Sequence, residues 1–443
     1  MTEKMKPSGI AWIGDIPQDW NIKRVKYLAS LKGRIGWQGL TSDEYIDEGP
    51  YLITGIDFQN GGIDWNYCVH ISEERWAEAP EIHIQNGDLL ITKDGTVGKV
   101  AIVSGLEGKA SLNSGVLLIR TNPDFDKRFL FWVLQSEEFW TWFRLKNAGN
   151  STIIHLYQGD FAEFSYTFPN TAEQRAIADF LDAQCTKIDS VIADIEKQIE
   201  TLQKYKKSLI TEVVTKGLDR SGPMKDSEID WIGDVAKNYC IRRLKYLTVI
   251  KDGTHDTPDY VDESEDSYPL ITSKYINYET KDINFEEAKH ISKSDFEKIY
   301  KRSDVEYGDI IMPMIGTIGN PVIVQTHRKF AIKNVALFKT SVDLITAKYI
   351  FYQFYSDILS EQFSIMSRGG VQSFVSLEVL GNLLFIDCTH EEKQQIVEYL
   401  DAKCSHIDEV INQKKQQLSV ILHHKKSLIY EYVTGKKRVT EVN

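Results

Sequence analysis

Residues 181–192 read LDAQCTKIDSVI, and residues 400–411 read LDAKCSHIDEVI. Each run opens a longer block, and the blocks close alike, with KKSLITEVVT at 206–215 and KKSLIYEYVT at 425–434. About half of the paired positions are identical, at a separation of 219 residues. Solenoid repeats run about 20–50 residues, so a period this long marks a duplicated unit and not a stacked array.

The duplication extends outward from the blocks. Trp12-Ile13-Gly14-Asp15 matches Trp231-Ile232-Gly233-Asp234, and 23–28 (KRVKYL) matches 242–247 (RRLKYL). His70-Ile71-Ser72 pairs with His290-Ile291-Ser292, Gly87-Asp88 with Gly308-Asp309, and Gly95-Thr96-Val97-Gly98 with Gly316-Thr317-Ile318-Gly319. Between these anchors the copies have diverged widely. Two modules doing the same job on different targets, joined by a shared structural device, would leave that pattern.

Residues 173–215 contain no Gly or Pro, Thr171 is the expected N-cap, and Gly217 the expected stop. Leu181, Ile188, Ile195, Leu202 and Leu209 recur every seven residues, with Ala178, Cys185, Ile192, Ile199, Lys206 and Val213 three residues before each step. The second copy keeps the register: Leu400, Ile407, Lys414, Ile421 and Leu428, with Val397, Cys404, Ile411, Leu418, Lys425 and Tyr432. An apolar seam sustained over about five heptads predicts a coiled coil. Lys206, Lys414 and Lys425 interrupt it, either fixing register or reaching outward where the seam frays. Some 43 helical residues span about 65 Å. Run antiparallel, two such helices make a spacer with one globular module toward each end.

The expected organisation is a first module at 1–170, a helix at 171–219, a second module at 220–388 and a second helix at 389–443. Within the modules, short β-like runs fall at 53–54, 88–92, 100–103 and 116–119, and again at 270–272, 309–312, 322–324 and 335–338. An aromatic-rich helical stretch follows each set, 129–143 and 349–363. The expected fold class is α+β: two tandem modules, each a curled, mostly antiparallel sheet with helices, alternating with two long helices.

Five cysteines, Cys68, Cys185, Cys240, Cys388 and Cys404, show no paired spacing, which argues against a disulfide framework or a zinc site. Cys185 and Cys404 fall on the seam as small core residues. No apolar run approaches a bilayer span and no leader opens the chain, so a cytoplasmic, soluble protein is expected. A formal net charge of −12 counts against nucleic-acid binding unless a local basic surface exists.

Catalytic signatures fail in turn. No phosphate-binding GxxxxGK[ST] loop is present. Asn122-Pro123-Asp124-Phe125 lacks the second proline of an amino-methyltransferase motif. Asp259, Glu287 and Lys289 fit a degenerate nuclease pattern that the first copy lacks. The histidines 155, 255, 327, 423 and 424 have no metal-ligand spacing. Polar, glycine-rich loops remain: 251–258 (KDGTHDTP) with its counterpart 32–38 (KGRIGWQ), the GTVG and GTIG pair, and 368–373 (RGGVQS) with 148–152 (AGNST). Such side chains read base edges and phosphates, and also make ordinary turns.

Taken together, KDGTHDTPDY at 251–260, GTVG and GTIG, 369–372 (GGVQ) and the two copies of a helix reading LDA…ID…KKSLI resemble the specificity subunit of type I restriction–modification systems. The resemblance covers nearly the whole chain. It departs where the second helix opens with Glu391-Glu392-Lys393-Gln394, and where Pro169 has no counterpart. The resemblance implies a non-catalytic subunit whose two target-recognition domains each read half of an interrupted double-stranded DNA sequence. It further implies two docked methyltransferase (modification) subunits carrying S-adenosylmethionine, and restriction subunits that use ATP and Mg. No cofactor or metal is expected in this chain. The expected DNA contacts are Arg34, Gln38, Lys93, Thr96, Lys99, Asn150 and Ser151 in the first module. In the second they are Lys251, Thr254, His255, Thr257, Lys274, Thr317, Arg368 and Gln372. The alternative is a coiled-coil scaffold carrying two modules that bind ligands other than DNA.

Overall fold

The computed structural model describes residues 4–34, 40–148, 154–277, 279–316, 318–368 and 374–439, without the side chains of 366–368. Its contacts divide the chain into two compact units, Met1–Ile195 with Gln416–Asn443, and Glu196–Lys415. Each unit therefore holds one module together with part of both long helices.

In the first unit a four-stranded antiparallel sheet runs Val100–Ile102, Leu89–Thr92, Val116–Thr121, Ala29–Gly33. Its counterpart in the second unit runs Val322–Ile323, Ile310–Pro313, Val335–Lys339, Val249–Asp252, in the same order. A further sheet in each unit contains one parallel pair, Ala110–Leu112 beside Ile46–Ile53 and Ala331–Ile332 beside Ser267–Ile271. The duplication is thus structural, down to strand order, and the α+β class holds.

The repeated Gly-Asp pairs explain one part of this likeness. Asp88 is buried and takes a forked ion pair from Arg120, at 2.9 and 2.7 Å. Asp309 is fully buried and takes Lys339 at 2.7 Å, with the amides of Glu306, Thr340 and Ser341 completing its shell. A buried carboxylate needs such partners, so both modules keep the pair, and the aspartates hold loops together.

Two expectations need correction. The aromatic stretches each form two helices, Lys127–Gln135 with Glu137–Lys146, and Leu344–Phe354 with Asp357–Arg368. Buried Ser136 and Ser356 sit at the breaks, where each hydroxyl donates to a carbonyl three residues back, Val133 and Gln353. The first long helix, Thr171–Lys216, is capped by Asn170, whose side chain accepts the amide of Glu173 at 3.1 Å. Thr171 is instead the first helical residue, and its hydroxyl donates to Asp124. The second long helix, His390–Val433, opens on a reciprocal box. Thr389 accepts the amide of Glu392, and the Glu392 carboxylate accepts the amide of Thr389. That box supplies the start that the first copy takes from Asn170.

Every seam position is buried or half-buried: Leu181, Ile188, Ile192, Ile195, Ile199, Leu202 and Leu209 on one helix, and Leu400, Ile407, Ile411, Leu418, Ile421 and Leu428 on the other. Burial pushes the Cys185 and Cys404 thiols up to about 11, so both remain protonated, unreactive core groups. In the first unit the Phe180 ring meets Tyr432 at a tilt, centroids 4.4 Å apart, and Asp189 meets Lys425 at 2.6 and 2.8 Å, which makes the helices antiparallel there. In the second unit Gln198 meets Lys414 and Asp408 meets Lys206, at 2.6 and 2.5 Å, again antiparallel. Lys206 and Lys425 occupy equivalent repeat positions, as do Asp189 and Asp408. The seam lysines are therefore clasped across the helix pair, and the fraying alternative fails.

The helices also enter the module cores. Leu181, Cys185, Ile429 and Val433 pack with Trp20, Phe129, Phe139 and Tyr166 in the first unit. Leu209, Val213, Leu400 and Cys404 pack with Tyr239, Tyr349, Phe354 and Phe385 in the second. No described helix is long and apolar enough to cross a membrane.

Candidate nucleic-acid interface

Two loops frame the candidate surface of the second module. Asp252 ends the strand Val249–Asp252 and is buried, accepting from Arg302 Nε at 2.7 Å and from His255 Nε2 at 2.9 Å. The other ring nitrogen of His255 faces Asn334 Oδ1 at 2.9 Å. Gly253 lies against the neighbouring chain so closely that an added Cβ would meet the Ile332 carbonyl oxygen at 1.7 Å. No other residue fits there. The amide of Thr254 donates to that same carbonyl at 3.0 Å, and the amide of Asn334 donates back to Thr254 at 3.1 Å. This turn holds His255, Asp256 and Thr257 outward, all exposed. Lys333 donates to the Thr257 hydroxyl. Lys274 is exposed beside the Tyr275 ring, 5.4 Å from its centroid. Lys251 is held by Asp304 at 2.6 Å, which turns it toward a structural role.

In the first module the GTVG loop folds over buried Thr92, whose hydroxyl accepts the Lys99 amide at 2.9 Å and donates to the Thr96 carbonyl. Gly98 sits with φ +86° against Trp140, where a Cβ would lie 2.3 Å from the ring. The glycine serves a close approach and a turn, and exposed Thr96 and Lys99 are presented on top, both reaching the Gly55 carbonyl. Lys93 is half-exposed beside them, and Asp94 contacts the ring of His155.

Arg34 departs from expectation. It is 3% exposed, and its guanidinium donates to the Leu112 carbonyl at 2.7 Å and to Ser111 Oγ at 3.0 Å. Burial lowers its pKa from the ordinary arginine range, with Arg75 adding to the effect. It supports the strand Ala110–Leu112 and is not a free reader. Gln38, Asn150, Ser151, Thr317 and Gln372 lie outside the described residues, as does the side chain of Arg368. The structure thus gathers Lys93, Thr96 and Lys99 in one module and Thr254, His255 and Thr257 in the other. Beside these loops the structure also places the Asp94–His155 contact in the first module and part-exposed Ile315 and Phe374 in the second, of which Asp94 and Ile315 stand directly before GTVG and GTIG in the sequence.

Asp259 and Glu287 are exposed, and Lys289 lies over the Tyr260 ring, 4.4 Å from its centroid. Among the described residues, no group of three or more His, Cys, Asp or Glu could hold a metal ion.

Comparison with known proteins shows what the chain as a whole is similar to. Residues 17–201 match the family described as the type I restriction modification DNA specificity domain. The chain is 26% identical over 436 residues to the type I restriction enzyme MjaVIII specificity subunit of Methanocaldococcus jannaschii, covering 97% of this chain and 95% of that one. The chain resembles the type I restriction enzyme specificity subunits along nearly its whole length. To the EcoBI specificity subunit of Escherichia coli it is 24% identical, over 88% of this chain and 80% of that one. A chain in a solved structure of the type I R-M system, described by its complex assembly and conformational transition, shares the fold. It aligns with a TM-score of 0.63 over 95% of this chain and 99% of that one, at 14% identity.

Proposed function

We propose that this chain is the DNA-specificity subunit of a type I restriction–modification complex. Each module reads one half of a bipartite, asymmetric target, and the paired helices set the gap and dock two methyltransferase subunits. The observation that carries this reading is the contrast between the copies. Strand order, the buried Asp ion pair and the helix seam are the same twice, while the exposed loop residues differ. Similar helices suit equivalent docking of identical partners, and unlike loops suit unlike half-sites. S-adenosylmethionine, ATP and Mg belong to the partner subunits, with restriction subunits completing the complex, and this chain contributes recognition without catalysis. The acidic balance of −12 is compatible with DNA when partners complete the basic clamp, and it suppresses non-specific attachment.

The test is single-molecule sequencing of DNA from a methylation-free host expressing this chain with its methyltransferase partner. A bipartite methyl-adenine motif that vanishes without this chain is expected. An active methyltransferase that marks no motif would refute the reading.

A further inference from the structure

The duplication provides an internal control for every exposed loop residue. The amide of Leu156 donates to the Lys93 carbonyl at 2.9 Å, and the amide of Val375 donates to the Met314 carbonyl at 3.0 Å. Lys93 in turn donates its amide to Gly115 at 2.8 Å, and Met314 donates to Asn334 at 3.1 Å. These backbone hydrogen bonds match between the copies, and they set His155 equivalent to Phe374 and Asp94 equivalent to Ile315.

The side chains at those positions are opposites. In the first module Asp94 and the His155 ring form a polar pair beside half-exposed Lys93. In the second module the same two places hold Ile315 and Phe374, 38% and 37% exposed. Phe374 is met edge-on by the His255 ring, with centroids 5.8 Å apart. Single exposed apolar side chains are common and need no explanation. Two at positions that hold a polar pair in the other copy, set there by matching backbone hydrogen bonds, point to a difference in what the loop touches.

Resting on the DNA reading above, we propose that Ile315 and Phe374 read thymine in the half-site of the second module through its C5 methyl group. In the major groove thymine is the one base that presents a methyl, and apolar side chains are its ordinary partners. Asp94, His155 and Lys93 present donors and acceptors, so the first module reads by hydrogen bonds. The two half-sites then differ in chemistry as well as in sequence. His255 meets Phe374 from the side and is itself held by Asp252 and Asn334.

Uracil in place of thymine deletes that methyl and leaves base pairing intact. Once the methylated motif is known, the complex of this chain with its methyltransferase is titrated with duplexes in which each thymine is replaced singly by deoxyuridine. Burying one methyl-sized group is worth about 0.8 kcal/mol, which converts to about a fourfold loss of affinity at each thymine so read. At least one such position is expected in one half-site, and its penalty is expected to vanish in Ile315→Ala or Phe374→Ala complexes. Because the first change is made in the DNA, the result does not depend on how a variant folds. A half-site set without thymine, a duplex indifferent to uracil throughout, or a uracil penalty that persists in both variants would each overturn the inference while leaving the DNA reading standing. An unmodified duplex bound no better than a scrambled one would overturn both.

Discussion

Glu138 lies wholly inside the first unit, and neither carboxyl oxygen makes a hydrogen bond of good geometry among the described residues, the Thr167 amide being only a loose neighbour. Burial pushes its pKa well above the usual carboxylate range, with the Thr167 amide opposing. The second copy solves the same place differently. There Gln353 bridges the main chain of Ile386, the counterpart of Thr167, donating to its carbonyl at 2.9 Å and accepting its amide at 2.7 Å. Unfolded, Glu138 ionises in the ordinary glutamate range; folded, it keeps its proton to much higher pH. Folding thus takes up a proton between those limits, and stability falls as pH rises through that window. Glu138→Gln is expected to remove this slope and to stabilise the protein at pH 8 by about 1–3 kcal/mol, as read by urea melts across pH. Arg34 gives the converse case. Arg34→Ala leaves the Leu112 carbonyl and Ser111 without their donor, and a loss of about 1–3 kcal/mol of stability is expected. A thermal melt unchanged by Arg34→Ala, with an altered methylation motif, would return Arg34 to the reading surface.

Among the elements, the long helices are rulers only if both shorten together. Each clasp pairs one helix with the other, Asp189 with Lys425 and Lys206 with Asp408. Removing 192–198 alone would slide the seam of one helix past its partner. Removing 192–198 together with its repeat counterpart 411–417 preserves both clasps and shortens each helix by about 10 Å. At roughly 3.4 Å per base pair, the preferred gap between half-sites should contract by up to about three, measured from the methylated motif. A stable double-deletion protein with an unchanged gap would show that the helices do not set it. The same helices show what the sequence made legible. Their seven-residue apolar period identified every buried seam position, because a coiled coil is written locally. The breaks at Ser136 and Ser356 were not legible, since no Gly or Pro marks them and a buried serine hydroxyl ends each turn. The GTVG and GTIG loops were legible as repeats, but not the ion pairs behind Gly87-Asp88 and Gly308-Asp309. The partners Arg120 and Lys339 stand some thirty residues away and reach the aspartates only through the sheet. Arg34 was misjudged for the same reason, because a basic residue in a glycine-rich run reads as solvent-facing until the strand beneath it is placed.

For the whole molecule, the two clasps are one arrangement written twice with the partners exchanged. Residues 1–219 alone carry Asp189 and Lys206, both halves of a clasp. Two such half-chains can satisfy each other reciprocally, the self-complementary contact that characterises twofold dimers. Residues 1–219 expressed alone are therefore expected to run as a dimer in light scattering, and Lys206→Glu to weaken that dimer. A monomeric half-chain would show that the clasps do not suffice for pairing. What the reciprocal lysines preserve, on this account, is a pedigree. Fusion of two copies of one self-pairing unit would leave this record, with both halves of the handshake kept and the reading loops free to diverge.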